Sequence, residues 1–546
     1  MQSKQFAWWQ KAVIYQIYPR SYRDTTGNGV GDLPGIIQKV PYLDQILGID
    51  AIWLSPFYPS PMKDFGYDVS DYVDVHPMFG SLEDFDQLVA EAHQRGIRII
   101  IDLVPNHSSD QHAWFQESRA SRDNPRRDWY VWEDPRPDGS PPNNWLSVFG
   151  GPAWTWDENT GQYYLHSFLK EQPDLNWRNP EVKEAMFDVV RFWLDRGVDG
   201  FRIDVAHYIM KDPEMRDNPL NPDVTPSIHR PLGEYDSQIH RYDKGHPDIH
   251  QVYREFRQVM EEYNGDNPRV SIGEIHIGDW QEWVSYYGEK LDEIHLPYNF
   301  SLLGVEWQAD QVREKVDQLE DVLPPGAWPN YVLGNHDEQR LASRVGQDAA
   351  RTAAMLLLTL RGTPTIYYGE EIGMTNVDIP PERQLDPAGL RQPGQGQGRD
   401  LCRTPMQWND QPWAGFSAPD TEETWLPLAD DYRERNVAAQ LEDPDSLLHL
   451  YQQLLALRKE HPALQIGGYT PLDNAPDNCF FYLREDGHEQ LLVALNFNPE
   501  ARNFASPLLK EAQILLSTGL DRFGPLPPSA QQTLTLRAHE GCVLKL

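Results

Sequence analysis

Short apolar, β-branched runs alternate along this chain with longer stretches of helical period. The runs AVIYQIY (12–18), AIWLSP (51–56), IRIIIDLVP (97–105), GFRID (200–204), VSIGEI (270–275), EIHLPYN (293–299), NYVLGN (330–335) and TIYYGE (365–370) predict strands. Between them, LEDFDQLVAEAHQRG (82–96) and PEVKEAMFDVVRFWLDRG (180–197) predict amphipathic helices, each stopping at a glycine. Eight β–α units in series predict an α/β fold, a parallel (β/α)8 TIM barrel.

The alternation breaks in two places and then ends. Residues 108–177, rich in Trp, Pro, Asn, Asp and Gly, predict an inserted loop-rich subdomain after the third strand. Residues 375–430 form a second irregular insertion, after the eighth strand, too long for an ordinary connection. The barrel is thus expected over 1–107 and 178–466. From 467 to 546, short runs such as NCFFYLRE, EQLLVALNF and EGCVLKL predict a C-terminal β-sandwich domain.

Composition narrows the function classes. A formal net charge of −35 argues against nucleic acid and anionic membrane surfaces as partners. The 18 Trp, 25 Tyr and 19 Phe suit sugar-binding platforms, though a large core would use them equally well. Three cysteines without metal-ligand spacing, no leader-type N-terminus and no run long enough to cross a bilayer make a cytoplasmic protein the expectation, monomer or weak homodimer.

In such a barrel the chemistry sits where strands end. Strand three ends in Asp102, Asn106 and His107; strand four in Arg202 and Asp204; strand five in Glu274; strand seven in Asn335, His336 and Asp337. Arg202 and Asp204, two apart, emerge on one face. That pair alone reads as readily as a structural ion pair. Acids and histidines from separate strands converging on one mouth are harder to explain by packing.

The words DLVPNH, GFRIDVAH, GEIH and GNHD, in this order, closely resemble the four conserved regions of the α-amylase superfamily, glycoside hydrolase family 13. QPDLNW (172–177), GTPTIYYGEEIGM (362–374) and RTPMQW (403–408) extend the resemblance over nearly the whole chain, and DFGYD and RTPMQW resemble its α-glucosidase and oligo-1,6-glucosidase branch. The resemblance implies Asp204 as nucleophile, kept ionised by Arg202, and Glu274 as general acid/base with a pKa raised toward neutrality. It implies Asp337 as stabiliser of the transition state, with His107 and His336 donating to sugar hydroxyls. Two carboxyls in these roles give a retaining mechanism.

The same resemblance assigns Asp64 and Tyr67 to the terminal glucose, with Arg403 pairing Asp64 to wall off the pocket; Asp68 and Arg399 are the neighbouring rivals. Phe149, Phe168 and Gln172 are expected at the rim. A walled pocket implies exo action, with glucose released from the non-reducing end of a small oligosaccharide. Val205, next to the nucleophile, is the residue type that accompanies α-1,6 activity in this branch, whereas the flanking DVAHYIMKDPEMRDNP looks more like α-glucosidases of broader linkage. No cofactor is implied for the chemistry. The loop DTTGNGVGD (24–32) resembles the branch's cation loop, with Asp24, Asn28, Val30 and Asp32 as oxygen ligands of a structural Ca2+ or Mg2+; a glycine-rich turn with acid ends is the other reading. A transferase or sucrose or trehalose isomerase would use the same site with a sugar hydroxyl in place of water. A non-catalytic relative would have lost the acids, and all three are present.

Overall fold

All eight apolar runs are strands in the computed structural model, which describes residues 6–226, 228–265, 267–526 and 532–546. They are β1 (Ile14–Ile17), β2 (Ala51–Leu54), β3 (Arg98–Leu103), β4 (Gly200–Ile203), β5 (Val270–Glu274), β6 (Leu296–Tyr298), β7 (Asn330–Val332) and β8 (Thr363–Tyr367). They pair in parallel in the order β7-β8-β1-β2-β3-β4-β5-β6. Between β6 and β7 the sheet closes through a side chain. The Asn330 amide accepts from Asn299 N (2.9 Å) and donates to the Pro297 carbonyl.

Helix α1 (Leu82–Gln94) starts at Ser81, whose hydroxyl and backbone exchange hydrogen bonds with Asp84. Helix α2 (Pro180–Asp195) starts at Asn179 with Pro180 in its first turn. Both end where expected, at Gly96 and Gly197, with φ of 77° and 92° that a side chain would strain.

Because side chains alternate along a strand, every second residue fills the barrel. Ile14, Ala51, Trp53, Ile100, Val270, Ile272, Leu296, Tyr298 and Val332 form that inner cluster, while Tyr15, Ile52, Ile101 and Phe201 face the helices. Continuing the inward series toward the strand ends gives Asp102, Arg202 and Glu274. Register sets Asp102 beside Arg202, and Arg202 beside Ile272, one inward position before Glu274. The alternation that packs the core therefore also aims the polar residues at one mouth. At Gly200 a Cβ would lie 2.4 Å from the Val270 carbonyl, so β4 can approach β5 only without a side chain there.

The 108–177 segment is more ordered than its composition suggests. It carries a helix (Ala113–Ala120) and a three-stranded antiparallel sheet with Gln162–Leu165 at its centre. Tryptophans and tyrosines supply the packing there: Phe115 stacks on Trp132, and Tyr164 meets both edge-on. The C-terminal region is all antiparallel, a six-stranded sheet beginning at Gly468–Pro471 and a two-stranded sheet, with Phe481, Leu492, Phe504 and Leu534 between them.

Just beyond β8, Glu370 is buried, with one carboxyl oxygen on the Tyr451 hydroxyl (3.0 Å) and the other without a side-chain partner among the described residues. Tyr451 belongs to helix α3 (Leu447–Glu460), which leads to the C-terminal sheets. Burial, then the neighbouring Glu371 charge, pushes Glu370 up to about 8. The folded chain thus holds this proton more tightly than the unfolded one, so the stabilisation is full below the unfolded value near 4.5 and is lost as pH rises to about 8. Each tenfold in proton affinity is worth about 1.4 kcal/mol. Glu370→Gln should therefore match the parent at pH 5 and exceed it in stability above pH 8, read by urea unfolding at both pH values. An equal difference at the two pH values would refute this account.

Candidate active site

The acids that end β3, β4 and β5 meet around one guanidinium. Arg202 Nη1 lies 2.7 Å from Asp102 and 2.8 Å from Asp204, and its Nη2 lies 2.6 Å from Glu274. Arg202 is 2% exposed and does not line the pocket; it lies beneath the carboxylates that do. Asp337 reaches the pocket from the opposite side, held by Arg399 (3.1 Å), Arg403 (2.9 Å) and His336 (3.2 Å). Asp64, Tyr67, His107, Phe149, Phe168, Asp204, Val205, Tyr208, Glu274, His336 and Asp337 all line the same cavity. Asp204 and Glu274 thus sit on the two ends of one guanidinium, facing one sugar-sized space.

The pairing behind Asp64 differs from the expectation. Arg399, not Arg403, takes Asp64 (2.8 Å), and it also holds Asp386 (2.6 Å) and Asp337. Arg403 is fully buried and turns to Asp337 and the His336 carbonyl. Both arginines leave the same segment, separated by the short 3-10 turn Asp400–Cys402, and converge on Asp337, but only Arg399 reaches Asp64. Asp68 is a structural residue, accepting from Ser60, Lys63 N and Asp64 N. Gln172 is also displaced from its expected place: it lies behind the rim, its amide donating to Asp64 (3.2 Å) rather than lining the cavity.

Both histidines are neutral donors by construction. Lys211 donates to Asn106 Oδ1 (2.6 Å), so the Asn106 amide nitrogen faces His107 Nδ1 (3.1 Å) and the ring proton is left on Nε2. Gln16 Nε2 faces His336 Nδ1 (2.8 Å) in the same way, and its Nε2 points to Tyr67 and Asp337. Burial pushes His107 down to about 4 and His336 to about 3.

The acids are set apart by their neighbours. Burial, then the Glu274 charge, pushes Asp204 well up. Against the effect of burial, Arg202 and then His276 hold Glu274 low. Asp337 is likewise held well below the usual range, burial being outweighed by His336, Arg399 and Arg403. The order of Asp204 and Glu274 is the reverse of what their expected roles suggest. Arg202 was expected to serve Asp204 alone; here it spans both carboxylates, and Glu274 also accepts from His276 (2.9 Å) and from Val205 N (2.9 Å). Each carboxylate's charge acts on the other, so the two acids titrate together.

Val205 has φ 37°, an uncommon conformation for a β-branched residue, and this turn is what aims its N–H back at Glu274. That contact, His276, the role of Arg399 and the roof were not legible as motifs. The roof is Arg230 from beyond β4 bonded to Gln397 (2.7 Å), and Arg391 bonded to the carbonyls of Phe149 (3.2 Å) and Gly150 (2.8 Å). Only the length of the 375–430 insertion hinted at it.

In the 24–32 loop the oxygens are already engaged. Asp24 accepts from Thr26 N (2.8 Å), Gly27 N (2.9 Å), Gly29 N (2.8 Å) and Ser417 Oγ (2.5 Å). Asp32 accepts from Thr25 N (2.8 Å) and caps a helix through Gly35 N (2.7 Å), and Asn28 accepts from Val30 N (2.8 Å). N–H groups of the loop thus occupy positions around the Asp24, Asn28 and Asp32 side-chain oxygens, the three side chains expected as ligands beside the Val30 carbonyl. No cluster of three or more His, Cys, Asp or Glu suited to a metal occurs among the described residues.

A barrel whose mouth gathers an acid pair, a third carboxylate and a walled end defines a glycoside hydrolase. The chain belongs to the α-amylase family: the model of the "Alpha amylase, catalytic domain" family matches residues 16–467. It is 45% identical to a probable alpha-glucosidase of Rhizobium meliloti (strain 1021), covering 92% of this chain and 91% of that one. It is 40% identical to an oligo-1,6-glucosidase of Parageobacillus thermoglucosidasius, covering 93% and 94%. Among solved structures, an alpha-glucosyl transfer enzyme superposes with a TM-score of 0.92 at 42% identity, over 99% of this chain and 100% of that one. Members of this family need no cofactor for their chemistry, and no described helix is long and apolar enough to cross a membrane.

Proposed function

We propose that the chain is an exo-acting, retaining α-glucosidase that releases glucose from the non-reducing end of short maltose- and isomaltose-type oligosaccharides. The observation that carries this reading is the single guanidinium of Arg202 bridging Asp204 and Glu274 across a pocket whose far end is closed by the Asp64–Arg399 pair. Asp204 attacks the anomeric carbon while Glu274 protonates the leaving oxygen; Glu274 then activates the water that releases glucose. In the resting site burial and the Glu274 charge favour the protonated form of Asp204, while Arg202 favours the ionised form of Glu274. Positive charge developing at the anomeric carbon favours the ionised Asp204, and the proton then belongs to Glu274. Six carboxylates (Asp64, Asp102, Asp204, Glu274, Asp337, Asp386) face three arginines, a surplus of negative charge suited to an oxocarbenium-like transition state. His107, His336 and Asp64 hold the hydroxyls of the terminal ring, and Tyr67 lies against it.

Incubation with maltose, isomaltose, sucrose, trehalose and longer maltodextrins, with glucose and transfer products measured separately, tests this. Glucose from the disaccharides, at rates falling with chain length, is the expected result; efficient internal cleavage of maltodextrins would overturn the exo reading. The alpha-glucosyl transfer enzyme among the similar structures favours a second reading, transfer to sugar hydroxyls at high substrate concentration. For the 24–32 loop the hydrogen bonds favour a turn over a cation site. A chelator should leave Tm unchanged, and a Tm that climbs with added Ca2+ or Mg2+ would restore the cation.

A further inference from the structure

The hydrogen bonds around Glu274 leave one of its oxygens with a single partner. Oε2 receives two donors, Arg202 Nη2 at 2.6 Å and Val205 N at 2.9 Å. Neither can accept a proton, so Oε2 is fixed as an acceptor and the transferable proton must sit on Oε1. The one partner of Oε1 among the described residues is His276 Nε2, at 2.9 Å. The ring of His276 is itself clamped: it stacks on Phe300 with centroids 4.4 Å apart and planes 9° apart, and it faces His229 at 6.1 Å and His207 at 6.2 Å. It lines the catalytic cavity and also the two cavities that flank it.

We infer that His276 is a positioning residue for the acid/base, its Nε2–H fixing the direction in which Glu274 Oε1 presents the proton to the leaving oxygen. This rests on the reading of Glu274 given above and deepens it. The O–H bond of Oε1 breaks as the glycosidic oxygen takes the proton, its bond to the anomeric carbon opens, and an Asp204 carboxylate oxygen bonds to that carbon. The carboxylate left behind keeps the His276 donor on Oε1 until water arrives, gives a proton back to Oε1 and bonds through oxygen to the same carbon as the bond to Asp204 breaks. Throughout, Nε2–H occupies one direction around Oε1 and the travelling proton another. Besides His276, the charged groups that act on Glu274 are Arg202, Asp204, Asp102 and Asp337. The other imidazoles around His276 are those of His207 and His229, the latter 2.9 Å from Glu338.

The test compares His276→Phe, which keeps a ring on Phe300 and removes the donor, with His276→Gln, which returns an amide donor. Each is assayed on maltose and on 4-nitrophenyl α-glucoside. The nitrophenolate departs with little help from an acid, whereas the sugar alcohol needs the proton. His276→Phe should lower kcat/KM for maltose by roughly tenfold or more, part of the range general acid catalysis supplies. Nitrophenyl glucoside should be affected only a few-fold, and the alkaline limb of the pH profile should move upward because a donor that favours the carboxylate is gone. His276→Gln should recover most of the loss. Equal losses on both substrates with an unmoved alkaline limb, or no loss on either, would overturn the inference. The parent's own turnover of maltose checks the reading of the site, whereas the ratio between substrates in the variants checks His276.

Discussion

Asp204→Ala should lose at least about 10⁴-fold in kcat on every α-glucoside, because no other group in the pocket can form the glycosyl-enzyme. Stability should not follow activity down. Asp204 is buried beside Glu274, so its removal leaves Arg202 to Asp102 and Glu274 and relieves a repulsion. The variant's Tm should equal or exceed the parent's. Azide offers a sharper check on the retaining mechanism. In the space vacated by the carboxylate it can attack the anomeric carbon of 4-nitrophenyl α-glucoside as the bond to nitrophenolate breaks, giving β-glucosyl azide. Turnover within tenfold of the parent, or a glucosyl azide of the α configuration, would end the nucleophile assignment.

Arg399→Met should be the most damaging change to substrate binding. Arg399 is the cation that, among the described residues, pairs with Asp64, Asp337 and Asp386 together, and its loss leaves two buried carboxylates and the half-buried Asp337 with Arg403 on one side only. Removing one partner of a buried pair costs about 3–5 kcal/mol. If half of that appears in recognition of the terminal ring, KM for maltose rises by roughly tenfold to a hundredfold, with a further loss in Tm. Burial already pushes Asp64 up to about 6 against the opposing Arg399 charge, so without Arg399 it protonates near neutral pH and stops accepting from hydroxyls. Arg403→Met, in contrast, should act through Asp337 and depress kcat more than it raises KM. Kinetics of the two variants side by side decide between them. An unchanged KM in Arg399→Met would show that the pocket end is not built on this residue.

Strand ends were legible because two constraints coincide there. Asp102, Arg202 and Glu274 stand in phase with the inward apolar residues of their own strands, so the period that marks the core also marks the mouth. The short strands and helix inside the loop-rich 108–177 segment were not legible because their order comes from aromatic packing, which has no strong period. The partner of Asp64 was misassigned because Arg399 and Arg403 are four residues apart on a segment of irregular backbone, where spacing does not fix direction. His276 stood in plain view in GEIH, yet nothing in the sequence says that its ring turns back onto Glu274.

The sequence by itself determined the barrel, the strand on which each acid rides and the family to which the chain belongs, since these follow from residue order and local period. Tertiary structure alone decided which arginine meets which carboxylate, how burial and neighbouring charge push Asp204 up and hold Glu274 low, and which N–H groups the 24–32 loop turns to its side-chain oxygens. Those outcomes depend on distances of a few ångströms between residues up to hundreds of positions apart. At such range burial and charge reinforce or cancel one another according to geometry that no linear pattern carries.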